Sequence, residues 1–449
     1  MEKKNHHGGE FQRGEIDFDF SVNINPLGMP EAAKRALFEN WSVFEDYPDD
    51  GCRELRRALG RRFGLEEDRV VCGNGASDLI YRLCSVAGFR RVLLPAPSFS
   101  EYSRALRAAG CEVTELLTEQ GRGFVFGEEQ LAAVDPSFDA LFLCNPSNPA
   151  GGLMEAPLLE DVLKRCERCG VVAVVDECFL DFVEDGEVHS AVSAASRGKN
   201  VVVLKAFTKI FAMAGLRLGF ALFGDPALAE RVFHFGAPWQ VSGPAQAAGL
   251  AILGEWPEAD GDGDGGCASY IQRTAEYIAA ERARMEASLQ ELGLETVPGR
   301  ANYILFRGRP GLDRLLAKQR IAIRNCSDYS GLGSQAEGLF TGSEKYSADP
   351  TGSGSAANSA GPVSTGNAAA DAGGAGAANA VSTVNSMDPI NTGNVAADAG
   401  GADAASAGNA AAAENTANRM ETVYYRAAVK KPEENRILIQ QIGRCLKWL

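Results

Sequence analysis

Residues 201–209, Val-Val-Val-Leu-Lys-Ala-Phe-Thr-Lys, form an apolar run that ends on Thr208 and Lys209, and Arg217 follows within Ala-Gly-Leu-Arg-Leu-Gly-Phe, residues 214–220. A deprotonated lysine in a desolvated pocket can form a Schiff base with an aldehyde. A hydroxyl and an arginine close to that lysine can hold a phosphate. The pattern therefore predicts an anchor for pyridoxal 5'-phosphate (PLP). The alternative is a solvated lysine at a strand end, which is a common surface feature.

The chain around this run alternates helical patterns with short apolar segments from about residue 30 to 235. Residues 31–41 and 53–63 have helical patterns. Strands that are apolar throughout and separated by helices predict an α/β fold, with a mostly parallel sheet covered by helices on both faces. The predicted strands are residues 70–71, 91–94, 140–144, 171–175 and 201–204.

Polar or glycine-rich segments follow the predicted strands, and ligands bind at the carboxyl ends of strands in such sheets. Asp176 could keep a pyridine nitrogen protonated, although a helix-capping aspartate is the alternative. Asn148 could donate to the ring oxygen of the cofactor, unless it only forms an Asn-Pro turn. The segment 75–77, Gly-Ala-Ser, could hold the phosphate at a helix start or be a plain cap. Phe99 could stack on the ring.

Composition limits the possible functions. The 449 residues are 45% hydrophobic and carry a formal charge of −15, which argues against nucleic acid or an anionic membrane as partner. No apolar run is long enough for a membrane span, and the polar first residues do not resemble a signal peptide. The 11 cysteines are scattered rather than regularly paired, which favours a reducing cytoplasm over a disulfide framework.

The composition changes abruptly after about residue 332. Residues 333–420 are rich in Ala, Gly, Ser, Asn and Thr, and residues 365–374 recur imperfectly as residues 392–401. Because such a segment buries little apolar surface, we expect a disordered insertion there. We further expect a large PLP-binding domain over residues 40–255 and a small α+β domain from residues 1–39, 256–332 and 421–449.

Two metal-like motifs have simpler interpretations. Cys166 and Cys169 form a lone CxxC without a second ligand pair, so a helix that carries two thiols is favoured over a zinc or redox site. Residues 260–265, Asp-Gly-Asp-Gly-Asp-Gly, begin like a calcium loop, but Ile271 stands where the bidentate glutamate is required. An acidic surface loop is therefore expected.

Taken in order, these motifs resemble the fold-type I PLP enzymes, and specifically the class I/II aminotransferase superfamily around histidinol-phosphate aminotransferase. The resemblance covers residues 6–332 and 423–449. Within the superfamily the chain looks most similar to the threonine-phosphate decarboxylases of cobalamin biosynthesis. That resemblance lies in residues 7–9, 20–29, 298–303 and 320–332, and in Phe179, where histidinol-phosphate aminotransferases usually have tyrosine.

The resemblance implies a role for each matching residue. Lys209 and Asp176 would be catalytic. The implied cofactor-binding residues are Gly75, Ala76, Ser77, Phe99, Asn148, Asp176, Cys178, Thr208, Lys209, Arg217 and, from the neighbouring subunit of a homodimer, Tyr47. The implied substrate-binding residues are His7, Gly8, Asn23, Asn148, Arg324 and Arg426.

Three positions depart from the family pattern. Ala206 stands where a second hydroxyl near the cofactor phosphate is usual, Cys178 replaces an alanine, and Lys430 replaces an arginine. None of these changes removes an essential group, although the missing hydroxyl should weaken cofactor binding by ~1 kcal/mol.

The implied reaction is decarboxylation of O-phospho-L-threonine to 1-aminopropan-2-yl phosphate and CO2. Two alternatives remain open. One is an aminotransferase of the histidinol-phosphate type. The other is a non-catalytic binding module with a PLP-enzyme fold, although such a module would not need Lys209, Asp176 and Arg217 together.

Overall fold

The computed structural model describes residues 8–9, 14–198, 200–254, 266–333 and 422–449. The strands are β1 Phe18–Asp19, β2 Val70–Gly73, β3 Arg91–Ala96, β4 Glu112–Leu117, β5 Ala140–Cys144, β6 Val172–Asp176, β7 Val201–Ala206, β8 Gly219–Phe223, β9 Glu295–Thr296, β10 Tyr303–Gly308, β11 Ile321–Ala322, β12 Arg324–Asn325 and β13 Val423–Ala428. The helices are α1 Glu31–Glu39, α2 Arg53–Phe63, α3 Gly75–Val86, α4 Ser100–Ala108, α5 Glu128–Leu131, α6 Ala156–Cys169, α7 Val192–Arg197, α8 Phe207–Ile210, α9 Pro226–Phe233, α10 Gly243–Gly254, α11 Gly266–Glu291, α12 Leu312–Lys318 and α13 Pro432–Cys445.

A seven-stranded sheet with the order β2-β8-β7-β6-β5-β3-β4 organises the first half of the chain. Strands β7, β6, β5, β3 and β4 are parallel to one another, and β8 runs antiparallel to both β2 and β7. Residues of β7 are buried on both faces, since Val203 joins one core cluster while Val202 and Leu204 join another. The predicted fold class is therefore confirmed.

The sequence prediction missed two strands of this sheet. Strand β4 lies at the sheet edge and is mostly half-buried, so it lacks the continuous apolar character of the central strands. Strand β8 follows β7 after only the short helix α8 and residues 211–218, because an antiparallel neighbour needs no long crossover.

A second, four-stranded antiparallel sheet has the order β12-β13-β10-β9. The helices α11, α12 and α13 accompany it in the sequence, and β1 pairs with β11 in a separate two-stranded parallel ribbon. This α+β arrangement agrees with the predicted character of the smaller part of the chain. The domain boundaries proposed from the sequence remain a prediction, and the expected insertion and acidic loop lie outside the described residues, except Gly333 at the start of the insertion.

Two further observations bear on the expectations from composition. Among the described residues, no helix is both long and apolar enough to cross a membrane. Cys166 and Cys169 lie on α6, and every cysteine whose side chain the structure describes is a free thiol. Within the same part of the chain, no cluster of His, Cys, Asp and Glu side chains could hold a metal ion.

Candidate active site

A cavity of about 320 Å³ lies at the carboxyl ends of the sheet strands. Lys209 lies on α8, directly after β7, and its side chain lines this cavity. Burial, together with the positive charges of Arg426 and Arg217, lowers the pKa of Lys209 to about 8. About a tenth of the amine is therefore unprotonated at pH 7, far more than for an ordinary lysine, and a nucleophilic lysine requires this form.

Part of the cavity lining is suited to binding an anion. Ala76 and Ser77 lie at the start of α3, and they line the cavity together with Thr208 and Arg217. Gly75 has φ +79°, and a Cβ on it would lie 2.5 Å from Nη2 of Arg217. The absent side chain thus leaves room for the guanidinium beside the backbone N–H groups that open the helix, an arrangement that suits a phosphate.

Asp176, the last residue of β6, is buried and lines the cavity. Its Oδ1 accepts a hydrogen bond from the backbone N–H of Cys178 at 2.9 Å, and its Oδ2 accepts one from the Tyr102 hydroxyl at 2.6 Å. Burial raises the pKa of Asp176, while these donors favour its charged form. Phe99 and Cys178 line the cavity next to this carboxylate.

Sequence reasoning did not identify Tyr102. The available signal was its position on the first turn of α4, three residues after Phe99, in a segment already assigned to the cofactor ring. Cys144, Ser21 and Tyr329 also line the cavity without having been predicted.

Asn148 and Arg426 lie together in the cavity. Nη1 of Arg426 donates to Oδ1 of Asn148 at 2.7 Å, and Nη2 donates to the carbonyl of Ser21 at 2.9 Å. With the amide oxygen of Asn148 engaged in this way, its NH2 group is left as the donor for a ligand. Nε of Arg426 is buried without a hydrogen-bond partner among the described residues, so the site retains an unused cationic donor.

The cavity is also lined by Gly8, Asn23 and Arg324. Arg324 forms an ion pair with Asp328 at 2.6 Å and lies over the ring of Tyr329 at 5.6 Å. Asn23 is buried, and its Oδ1 has no partner among the described residues. Arg324 therefore offers a positive charge to a ligand, and Asn23 offers a buried amide oxygen that has no hydrogen-bond partner among the described residues.

Of the predicted site residues that the structure describes, Gly75 and Tyr47 are not among those that line this cavity, although Gly75 directly precedes the lining residue Ala76. His7 lies outside the described residues. Tyr47 is 81% exposed and packs against Trp239 with ring centroids 4.4 Å apart, away from the residues that line the cavity. Ala206, which departs from the family pattern, does line the cavity and offers no hydroxyl there.

The residues present fit PLP. The glycine-opened anion site suits its phosphate, the Asp176 carboxylate suits its pyridine nitrogen, Asn148 suits its ring oxygen, and Lys209 suits its aldehyde. A fold with this sheet order and these groups at its strand ends defines a fold-type I PLP-enzyme architecture.

Comparison with known proteins identifies the family within this class of PLP enzymes. The chain belongs to the class I and II aminotransferase family, whose model matches residues 15–331. It is 38% identical over 321 residues, 71% of this chain and 84% of the relative, to a threonine-phosphate decarboxylase of Salmonella typhimurium. It is 33% identical over 294 residues, 64% of this chain and 76% of the relative, to a histidinol-phosphate aminotransferase of Desulfitobacterium hafniense.

A solved structure shows the same fold. Histidinol-phosphate aminotransferase from Sinorhizobium meliloti, in complex with pyridoxal-5'-phosphate, superposes with a TM-score of 0.60 at 20% sequence identity, over 69% of this chain and 83% of that structure.

Proposed function

We propose that this chain is a PLP-dependent enzyme that decarboxylates O-phospho-L-threonine to 1-aminopropan-2-yl phosphate and CO2 in cobalamin biosynthesis. The observation that carries the proposal is the pairing of Arg324 with Arg426 across strands β12 and β13, with both side chains lining the cavity of Lys209. Phosphothreonine has two anionic groups, a carboxylate and a phosphate, and the cavity offers one arginine to each. The similarity to the Salmonella threonine-phosphate decarboxylase supports the same substrate.

Each arginine has a distinct task in this proposal. Arg426, through its unpaired Nε and its Nη atoms, binds the substrate carboxylate and keeps the amino acid oriented beside Lys209. Arg324 binds the substrate phosphate, helped by Asn23 and Gly8 and, as the sequence resemblance implies, by His7.

The bound cofactor supplies a conjugated ring that accepts the electron pair left at Cα when CO2 departs. The residues of the chain make that chemistry possible. Asp176 holds a proton on the pyridine nitrogen, and Asn148 donates to the ring oxygen. Lys209, with a pKa of about 8, can hold a proton and deliver it to Cα of the product.

A gas-release assay tests the reaction. Purified protein given phosphothreonine and PLP should release CO2 without any 2-oxo acid, and Lys209→Ala should not. Strict dependence on 2-oxoglutarate with no CO2 would instead establish the second candidate, an aminotransferase of the histidinol-phosphate type, which the similarity to the Desulfitobacterium enzyme favours. Failure to bind PLP at all would favour the binding module.

The same proposal includes a homodimer. Trp41, Phe44, Tyr47 and Trp239 are large side chains between 46% and 81% exposed. Exposed apolar side chains concentrated in one region mark protein interfaces. We therefore propose that a second copy covers this surface and that Tyr47 reaches the cofactor phosphate of the partner subunit. The free thiols of the described cysteines support a reducing, cytoplasmic location.

A further inference from the structure

We propose that Tyr102 is a positioning residue, whose hydroxyl keeps the Asp176 carboxylate ionised and oriented toward the pyridine nitrogen of the cofactor. The inference rests on the proposed PLP binding. It adds a residue to which neither the sequence motifs nor the comparisons assign a role.

The contact is short and fully enclosed. Tyr102 is 1% exposed, and its hydroxyl donates to Oδ2 of Asp176 at 2.6 Å. An O–H···O distance in this range is typical of a hydrogen bond to an ionised carboxylate. The ring of Tyr102 is fixed by an edge-on contact with Phe99 at 5.4 Å and by Phe142 at 5.9 Å. The hydroxyl therefore has little freedom to leave the carboxylate.

Asp176 depends on such donors because its surroundings disfavour charge. It is 5% exposed, and burial raises its pKa. A protonated Asp176 could not hold the proton on the pyridine nitrogen, and the ring would lose much of its capacity to accept electrons. One donor is the backbone N–H of Cys178, which persists in every variant. The Tyr102 hydroxyl is a donor that a substitution can remove.

The remaining acceptor capacity of Asp176 faces the cavity. A carboxylate has about four acceptor directions, and the N–H of Cys178 and the hydroxyl of Tyr102 occupy two of them, one on each oxygen. Because each oxygen accepts a hydrogen bond from the protein, the carboxylate cannot rotate. Its remaining acceptor capacity is then available to the pyridine nitrogen of a bound cofactor. Tyr102 thus acts through Asp176.

A cofactor analogue separates this role from a general packing role. The apo-forms of wild type, Tyr102→Phe and Tyr425→Phe are titrated with PLP and with the analogue in which C–H replaces the ring nitrogen. Tyr425, on β13 of the four-stranded sheet, is the matched control. It is also buried, and its hydroxyl donates a hydrogen bond to the Arg309 carbonyl at 2.9 Å. Circular dichroism and thermal unfolding confirm that each variant is folded.

We expect Tyr102→Phe to weaken PLP binding about tenfold, the usual value of a hydrogen bond to a charged group, and to leave binding of the analogue almost unchanged. Tyr425→Phe should change neither. Equal weakening of both ligands by Tyr102→Phe would show a structural role and overturn the inference, as would no weakening of either. A wild-type protein that binds neither ligand would overturn the proposed function itself.

The pH dependence gives a second readout. Because a donor to the carboxylate favours its charged form, loss of the Tyr102 hydroxyl raises the pKa of Asp176. The acid limb of PLP binding should therefore move to higher pH in Tyr102→Phe but not in Tyr425→Phe.

The wild-type protein provides a test that needs no variant. Its preference for PLP over the analogue should stay constant as the pH is lowered from about 8 to about 6, because the hydrogen bonds from Tyr102 and from the backbone N–H of Cys178 favour the charged form of Asp176. A preference that already falls in this range would overturn the inference even if Tyr102→Phe did not fold.

Discussion

Arg426 and Asn148 are hydrogen-bonded through Nη1 and Oδ1 at 2.7 Å, although 278 residues separate them in the chain. One residue belongs to the antiparallel strand β13 and the other to the loop that follows the parallel strand β5. The bond fixes which face of the Asn148 amide turns toward the cavity. Arg426 is thereby connected to two proposed tasks, binding of the substrate carboxylate and orientation of a cofactor ligand.

Substitution of Arg426 should affect both tasks to different degrees. We expect Arg426→Gln to lower kcat/KM for phosphothreonine at least a hundredfold, since it removes a charged hydrogen bond to the substrate. PLP affinity should fall less, by ~1 kcal/mol, because Asn148 loses only its orienting partner. Arg307→Gln, on the neighbouring strand β10, serves as the control and should change neither value. Unchanged kcat/KM in Arg426→Gln would contradict the assigned substrate contact.

Gly75 and Gly64 allow a controlled test of the phosphate site. Both have positive φ, +79° and +68°, so alanine at either position incurs similar backbone strain and should lower the free energy of unfolding by ~1 kcal/mol. Only at Gly75 would the new Cβ approach Arg217, at 2.5 Å, since nothing lies within 4 Å of the position at Gly64. Equilibrium titration should show weaker PLP binding in Gly75→Ala alone. Equal affinities in the two variants would argue against Arg217 as a phosphate ligand.

The lowered pKa of Lys209 should determine how the rate of its reaction with the PLP aldehyde depends on pH. Burial lowers this pKa to about 8, so the reactive unprotonated fraction grows about tenfold per pH unit below that value and levels off above it. Stopped-flow absorbance of apo-protein mixed with PLP should follow this curve, and Lys209→Ala should give no such phase. A rate independent of pH between about 6 and 9 would be inconsistent with Lys209 as the nucleophile.

Substitution of Tyr47 tests the proposal that this residue reaches the cofactor phosphate of the partner subunit. Tyr47→Phe should lower PLP affinity while sedimentation still shows a dimer, and Trp41→Glu should dissociate the dimer by burying a charge at the interface. Mixing inactive Lys209→Ala with Tyr47→Phe should restore activity above that of either variant. The hybrid then contains one site with an intact Lys209 and a partner that supplies Tyr47. No gain on mixing would place Tyr47 outside the partner's site.

The sequence alone predicted those strands and helices that have a characteristic pattern of apolar and polar residues within a short segment. The apolar runs at β5, β6 and β7 and the polar residues that follow them predicted the sheet and its ligand-binding edge, because the buried faces of a parallel sheet impose that pattern. The helix over residues 53–63 was predicted with its observed bounds, and Gly64 ends it with φ +68°.

Other features depend on tertiary packing and left no such pattern. The contact between Tyr102 and Asp176 requires α4 to place its first turn beside the end of β6, and it joins residues 74 positions apart. The half-buried residues of the edge strand β4 lack the apolar run that marks a buried strand.

The pairing of Arg324 with Arg426 across β12 and β13 has a consequence for evolution and engineering. The hydrogen-bonded register of the two strands, rather than the number of residues between them, sets the distance between the backbones of Arg324 and Arg426. Because closing a longer loop adds little entropy loss, the chain between the two strands can gain or lose sequence while Arg324 and Arg426 stay in place. It is therefore a natural position at which to graft a reporter or a second protein module without redesigning the catalytic cavity.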